Sequence, residues 1–153
     1  MAGHGHKYFK AGLQGYQLRL QLTQNVSAVT AAALVIRRDV FQAVGGFDAE
    51  TFAVNYNDVD LCLRVLTAGY RNVYCPDAVL VHHESKSRGA PTSPEAYALW
   101  QRERRAMQQR WGRLLEADLH YSPHLSLVEE NFSLALRPDG LGSRSGQPDL
   151  SLS

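Results

Sequence analysis

Four carboxylates stand close together between residues 48 and 60, and no lysine or arginine lies among them: Asp48, Glu50, Asp58 and Asp60. A carboxylate in the first turn of a helix is fixed in direction and favoured in its charged form by the helix dipole, and a general base needs both properties. Asp58 meets this description because it follows Asn57, a residue type that often caps helices. The same acids also fit an ordinary helix start beside a solvated loop, and their spacing alone favours that interpretation.

Two adjacent histidines form a second polar cluster, His82-His83-Glu84-Ser85, at the end of an apolar segment. Successive residues of a strand point to opposite faces, so His82 and His83 do not readily bind one metal ion together. One of them can face a site while the other faces solvent or a helix. A lone histidine in such a place is more often a hydrogen-bonded structural residue than a metal ligand.

One strand and two helices are predicted up to the end of the acidic cluster. The apolar run over residues 26–36 predicts a buried strand, although a helix segment has the same pattern. Asp39 is expected to cap a short helix that ends at Gly45-Gly46. The next helix is expected to be capped by Asn57 and to stop at Gly69, and its apolar stripe places Cys62 in the core.

The second half of the chain is expected to add two strands and a long helix. Residues 71–75 predict a strand, a Pro-Asp turn follows it, and residues 78–81 predict a second strand or an extended segment. Ser93, Pro94 and Glu95 form a helix start, and the helix is expected to run to about Leu115. The resulting fold class is α/β, with an incomplete mixed sheet flanked by helices.

Length and composition limit the classes of function. A chain of 153 residues, of which 44% are hydrophobic, is long enough for one domain with a core. The formal net charge of +1 argues against a nucleic-acid partner. No apolar stretch reaches the length of a membrane span, no signal peptide is visible, and two cysteines make no disulfide framework, so a cytoplasmic location is expected.

Several blocks of residues follow one another in register over roughly residues 25–135: Val44-Gly45-Gly46-Phe47-Asp48, Asn57-Asp58-Val59-Asp60-Leu61-Cys62-Leu63-Arg64, Tyr74-Cys75-Pro76-Asp77-Ala78 and His82-His83-Glu84-Ser85. Together they resemble the C-terminal half of family 2 glycosyltransferases with the GT-A fold. The branch they resemble most acts on bacterial surface polysaccharides of the O-antigen and rhamnan type. The resemblance implies an enzyme that transfers a sugar from a nucleotide-sugar donor to a polysaccharide or lipid-linked glycan, with inversion.

The resemblance also implies roles for individual residues. Asp58 corresponds to the catalytic base, and the acid that usually precedes it is replaced by Asn57. Contact with the acceptor sugar falls to five residues: Gly45, Gly46, Asp48, Asn57 and Asp60. Arg88 corresponds to a diphosphate-binding residue. His82, with His83 as the alternative, corresponds to a ligand of a divalent cation, Mn²⁺ or Mg²⁺.

One departure from the family pattern concerns the main metal motif. No Asp-x-Asp precedes residue 58, and Asp58-Val59-Asp60 lies at a helix start, where side chains two residues apart diverge by about 200°. The chain is therefore expected to be an acceptor-side part, residues 25–136, of a longer GT-A enzyme. A short segment, 1–24, leads into it and a disordered tail, 137–153, follows. The missing nucleotide-binding half is expected as a partner in cis or in trans.

Two other interpretations remain open. The first takes the chain as a non-catalytic remnant, or as a binding and interaction module of a glycosyltransferase. The arginine-rich face of the long helix, with Arg102, Arg105 and Arg113, would suit a peripheral contact with the inner face of a membrane. Between Glu95 and Glu116, however, five arginines face three glutamates, and an ordinary solvated face explains this balance.

Overall fold

The computed structural model describes residues 5–6, 10, 12–80, 93–126 and 132–135. This part of the chain contains two strands and three α-helices: β1 Gln24–Val26, α1 Arg38–Ala43, α2 Asn57–Thr67, β2 Asn72–Tyr74 and α3 Pro94–Glu116. Short 3-10 helices lie at Tyr16–Leu18 and Ala31–Ala33. The strands pair antiparallel, with Gln24 opposite Tyr74. The architecture is a small α/β unit, and its described sheet is an antiparallel pair rather than the expected mixed sheet.

The prediction of a long strand over residues 26–36 is wrong. Only Val26 belongs to β1, and Ala31–Ala33 form a 3-10 turn. The Thr30 hydroxyl accepts a hydrogen bond from Ala32 N at 3.3 Å, which favours a turn, and alanine has little preference for strands. Val35 is fully exposed, so this segment is not a core strand.

For residues 78–81, where a strand or an extended segment was expected, the described part shows no strand. Residues 78–80 are exposed and have no strand structure, and residue 81 lies outside the described residues, as does the predicted tail. The strand expected over 71–75 is confirmed as the shorter β2. Val79 and Leu80 are apolar, but they are 82% and 71% exposed. No described strand lies beside them to cover their side chains.

The helices agree better with the sequence than the strands do. α1 begins at Arg38, so Asp39 lies in the first turn instead of capping it. α2 begins at Asn57, and the expected cap moves one residue back to Tyr56, whose φ is 61°. Gly69, at φ 87°, ends α2 as predicted, because a residue without Cβ adopts this left-handed conformation easily. The start of α3 is confirmed, since Ser93 Oγ accepts from Ala96 N.

α2 lies at the centre of the described structure because it packs in two directions. Leu61 and Val65 pack with Val40 of α1, while Leu63 packs with Phe52 and Met107 of α3. Cys62 is buried as predicted, and burial raises the pKa of its thiol. None of the described helices is both long enough and apolar enough to cross a membrane.

Replacing the central leucine of α2 should destabilise the fold. Leu61 is completely buried, so we expect Leu61→Ala to lower the free energy of unfolding by about 2–5 kcal/mol through lost burial and a residual cavity. Denaturant titration followed by circular dichroism measures this change. Leu119→Ala is the matched control, because Leu119 is 82% exposed and should cost less than about 0.5 kcal/mol. Equal losses for the two variants would contradict the packing of α2.

Candidate functional site

The carboxylate of Asp58 is held in one direction by backbone donors. Asp58 is the second residue of α2 and is half-buried. Its Oδ2 accepts a hydrogen bond from Ala31 N at 3.0 Å, and its Oδ1 accepts one from Val59 N at 2.9 Å. The 3-10 turn that replaced the predicted strand therefore contacts the predicted catalytic residue directly. An oriented, partly accessible carboxylate of this kind can accept a proton from a bound hydroxyl group.

The Gly45-Gly46 turn is fixed to α2 by one arginine. Both glycines have positive φ, 83° and 66°, and a Cβ at Gly46 would lie 3.1 Å from the Phe41 ring. Arg64 Nη2 donates to Gly46 O at 2.6 Å, and Arg64 Nη1 donates to Val44 O. The same guanidinium pairs with Asp60. The turn that is expected to approach the acceptor is thereby attached to the helix that bears Asp58.

The side chain of Asp60 is buried between helices and does not face solvent. The residue is completely buried, and its Oδ2 accepts from Arg64 Nε at 2.8 Å. Its Oδ1 accepts from Arg110 Nη1 and from Trp111 Nε1, each at 2.9 Å. A buried carboxylate with three donors has no surface left for a sugar hydroxyl, so the expected acceptor contact of Asp60 is not supported. Its side chain links α2 to α3 because it lies on the face that α3 covers.

Asp48 orders the loop after the glycine turn. Its Oδ1 accepts from Thr51 N at 3.0 Å, and its Oδ2 pairs with Arg110 Nη1 at 2.8 Å. The Thr51 amide and then the Arg110 guanidinium lower the pKa of Asp48 from 3.8 to about 2. Through these contacts Asp48 orders the loop between the glycine turn and Phe52. Its contact with an acceptor stays a prediction, as does that of Asn57, which is half-buried at the first position of α2.

The second buried acid lies on α3, where the sequence predicts a solvated face. Glu103 is completely buried. Its Oε1 accepts from Val54 N at 3.0 Å, and its Oε2 accepts from Asn55 N at 2.8 Å and from Asn55 Nδ2 at 2.6 Å. The signal was the helical spacing, because Glu103 lies four and eight residues before Met107 and Trp111 and so shares their inward face.

The remaining predicted site residues fall elsewhere. His82, its alternative His83 and Arg88 lie outside the described residues. Within the described part of the chain, no three histidine, cysteine, aspartate or glutamate side chains converge as a metal site would require. Asp58 and Asp60 have separate partners, which agrees with the divergence expected of them. The described residues alone hold no such site, and the role of His82 stays a prediction.

Comparison with known protein families identifies the family of this chain. The sequence model described as glycosyltransferase like family 2 matches residues 12–113. That range includes α1, the glycine turn, α2 and α3 up to Arg113. The chain belongs to this family. The resemblance inferred from the motifs is confirmed.

The family 2 chain is similar to parts of much longer proteins. It is 48% identical over 135 residues to the uncharacterized protein y4gI of Sinorhizobium fredii, covering 88% of this chain and 15% of that protein. It is 40% identical over 118 residues to the O-antigen biosynthesis protein RfbC of Myxococcus xanthus, covering 76% of this chain and 9% of RfbC.

A shorter stretch matches an enzyme that is named for its reaction. Over 74 residues the chain is 39% identical to the N-acetylglucosaminyl-diphospho-decaprenol L-rhamnosyltransferase of Mycobacterium tuberculosis, covering 48% of this chain and 24% of that enzyme. No solved structure matches the chain. The chain thus spans less than a quarter of the length of each of these three relatives.

Arg64 gives a prediction about the glycine turn. Lysine is a compact charge and does not present the planar fork that contacts Asp60, Val44 O and Gly46 O together. We expect Arg64→Lys to lower the free energy of unfolding by about 1.5–3 kcal/mol, measured in denaturant. The control is Arg113→Lys, on the exposed face of α3. The turn is not fixed by Arg64 if both substitutions leave stability unchanged.

The lowered pKa of Asp48 gives a prediction about pH. Because its folded pKa is about 2 and its ordinary value is 3.8, the ionised form stabilises the fold above 3.8, and this contribution disappears as pH falls toward 2. Asp48→Asn should therefore lower stability at pH 7 by on the order of 1 kcal/mol, a figure reduced for solvent screening. Thermal unfolding at pH 7 and near pH 2 measures the difference. A deficit that is the same at both pH values would exclude the ionised carboxylate as its cause.

Proposed function

We propose that this chain is the acceptor-side part of an inverting glycosyltransferase with the GT-A fold, in which Asp58 is the catalytic base. The observation that carries the proposal is the position of Asp58. Its carboxylate lies half-buried at the start of α2, oriented by Ala31 N, on the helix to which Arg64 fixes the glycine turn. Membership of family 2 supports sugar transfer as the reaction class.

The proposed reaction is a single displacement at the anomeric carbon of a nucleotide-sugar. Asp58 takes the proton from an acceptor hydroxyl while that oxygen forms a bond to the anomeric carbon. The bond from this carbon to the diphosphate oxygen breaks, and the nucleoside diphosphate leaves with the bonding electrons on the opposite face. Attack from the face opposite the leaving group inverts the configuration. The products are the extended glycan and a nucleoside diphosphate.

Acceptor contact is proposed for the glycine turn and its neighbours. Gly45 and Gly46 have no side chains, so a sugar can approach their backbone closely. Asn57 adjoins Asp58 and offers an amide that can both donate and accept hydrogen bonds. Asp48 orients the loop that follows the turn through Thr51. Asp60 is proposed as a residue that positions α2 against α3.

The donor side of the proposed site lies outside the described residues. Arg88 is proposed to contact the diphosphate, because its planar guanidinium pairs well with phosphate oxygens. His82 is proposed to help hold a divalent cation, with His83 as the alternative. When bound, such a cation would offset the negative charge that develops on the leaving diphosphate. A nucleotide-binding half, in cis or in trans, is proposed to supply the main cation ligands.

The names of two relatives support the acceptor class. One acts in O-antigen biosynthesis, and the other is named for rhamnosyl transfer to a decaprenol-linked diphosphate sugar. We propose a polysaccharide or lipid-linked glycan as acceptor, in bacterial surface polysaccharide synthesis. A cytoplasmic location, with peripheral contact at the inner face of the membrane, suits such an acceptor. Arg102, Arg105 and Arg113 are exposed on α3 and would face anionic headgroups.

Substitution of the base tests the proposed function. Transfer is measured with the purified chain combined with the remaining part of a family 2 domain, and with candidate nucleotide-sugars and lipid-linked acceptors. Asp58→Asn keeps an oxygen for Ala31 N but cannot accept the acceptor proton, so we expect kcat to fall about 10²–10⁴-fold. Asp77→Asn, in an exposed turn, should leave transfer unchanged. Equal transfer by Asp58→Asn and the unmodified chain would exclude Asp58 as the base and favour a binding module.

A further inference from the structure

A loop of four residues determines where α2 begins and hence where Asp58 lies. α2 starts at Asn57, and its cap residue, Tyr56, makes no side-chain bond to the end of the helix. Tyr56 has φ 61°, a left-handed conformation that non-glycine residues adopt only when their surroundings impose it. Something outside α2 must therefore hold residues 53–56 in place.

Glu103 of α3 restrains two of these four residues, Val54 and Asn55. Its carboxylate accepts three hydrogen bonds from Val54 and Asn55, two from their backbone N–H groups and one from the Asn55 side chain. The carboxylate is completely buried, so it depends on these donors in place of water. Met107, one turn further along α3, belongs to the same apolar cluster as Phe52, which precedes the loop, and Tyr56 packs against this cluster.

We propose that Glu103 is a positioning residue for sugar transfer: by fixing residues 54 and 55 it sets the start of α2 and the place of the Asp58 carboxylate relative to the acceptor. The inference rests on the proposed role of Asp58 as base. It assigns Glu103 no contact with either substrate. Proton transfer and attack depend on distances of a few ångströms, and a shift of about 1 Å can cost a hundredfold in rate.

Replacement of the carboxylate by an amide is the main test. Glu103→Gln keeps the shape of the side chain but turns one acceptor into a donor, which opposes the N–H groups of the loop. In the transfer assay we expect kcat per folded molecule to fall about 10- to 100-fold, while KM for the nucleotide-sugar stays within about twofold. Glu116→Gln, at the exposed end of the same helix, is the matched control and should behave as the unmodified chain.

The split between kcat and KM separates positioning from stability. A residue that only stabilises the fold would leave kcat per folded molecule unchanged well below the melting temperature. Full kcat in folded Glu103→Gln, with Asp58→Asn inactive, would overturn the inference and leave the proposed function intact. Full kcat in Asp58→Asn would overturn both.

A second variant covers the case in which Glu103→Gln does not fold. Asn55→Ala removes the side-chain hydrogen bond at 2.6 Å and keeps both backbone bonds. It should lower kcat severalfold and speed amide hydrogen exchange at residues 54–58. Unchanged kcat and unchanged exchange in a folded Asn55→Ala chain would also overturn the inference.

Discussion

The described structure depends on one buried carboxylate with three donors. Asp60 accepts from Arg64 of its own helix and from Arg110 and Trp111 of α3, and Arg64 in turn donates to the glycine turn. An isolated charge without water is costly, and it persists in a protein only where donors surround it. Because these donors come from two helices, the carboxylate determines how α2 and α3 lie against each other.

The second buried acid, Glu103, is likewise surrounded by hydrogen-bond donors, but it projects from α3 instead of α2. Asp60 projects from α2 toward α3, while Glu103 projects from α3 toward the loop before α2. Arg110 extends the first network, since it also pairs with Asp48 and lies over the Phe52 ring at 5.0 Å. The apolar contacts around Phe52 and Met107 fill the space between the two networks. Polar donors give this contact its register, and apolar burial gives it most of its favourable free energy.

The helices and the family could be predicted from the sequence. The predictions were wrong where contacts between distant parts of the chain determine the structure. α2 and α3 have strong local signals, namely an apolar stripe, a Gly69 stop and a Ser93-Pro94 start, which act within a few residues. The segment before Arg37 has an apolar composition that fits a strand, but Thr30 turns the chain and Asp58 accepts a hydrogen bond from the turn. Whether an acid is buried depends on which element covers it, so the sequence predicted acceptor contact for Asp60 and a solvated face for Glu103. The position of Glu103 on the inward face of α3 was visible in the spacing, but its partners were not.

The two thiols of the chain differ in their exposure to solvent. Its sulfur lies within 3.5 Å of Val29 N, enclosed between α2 and the segment before the 3-10 turn, whereas Cys75 is exposed just after β2. Burial also raises the pKa of the Cys62 thiol, which keeps it in the unreactive protonated form. Oxidants therefore reach Cys75 first. A disulfide between two copies through Cys75 would join their surfaces and leave the interior of each copy unchanged.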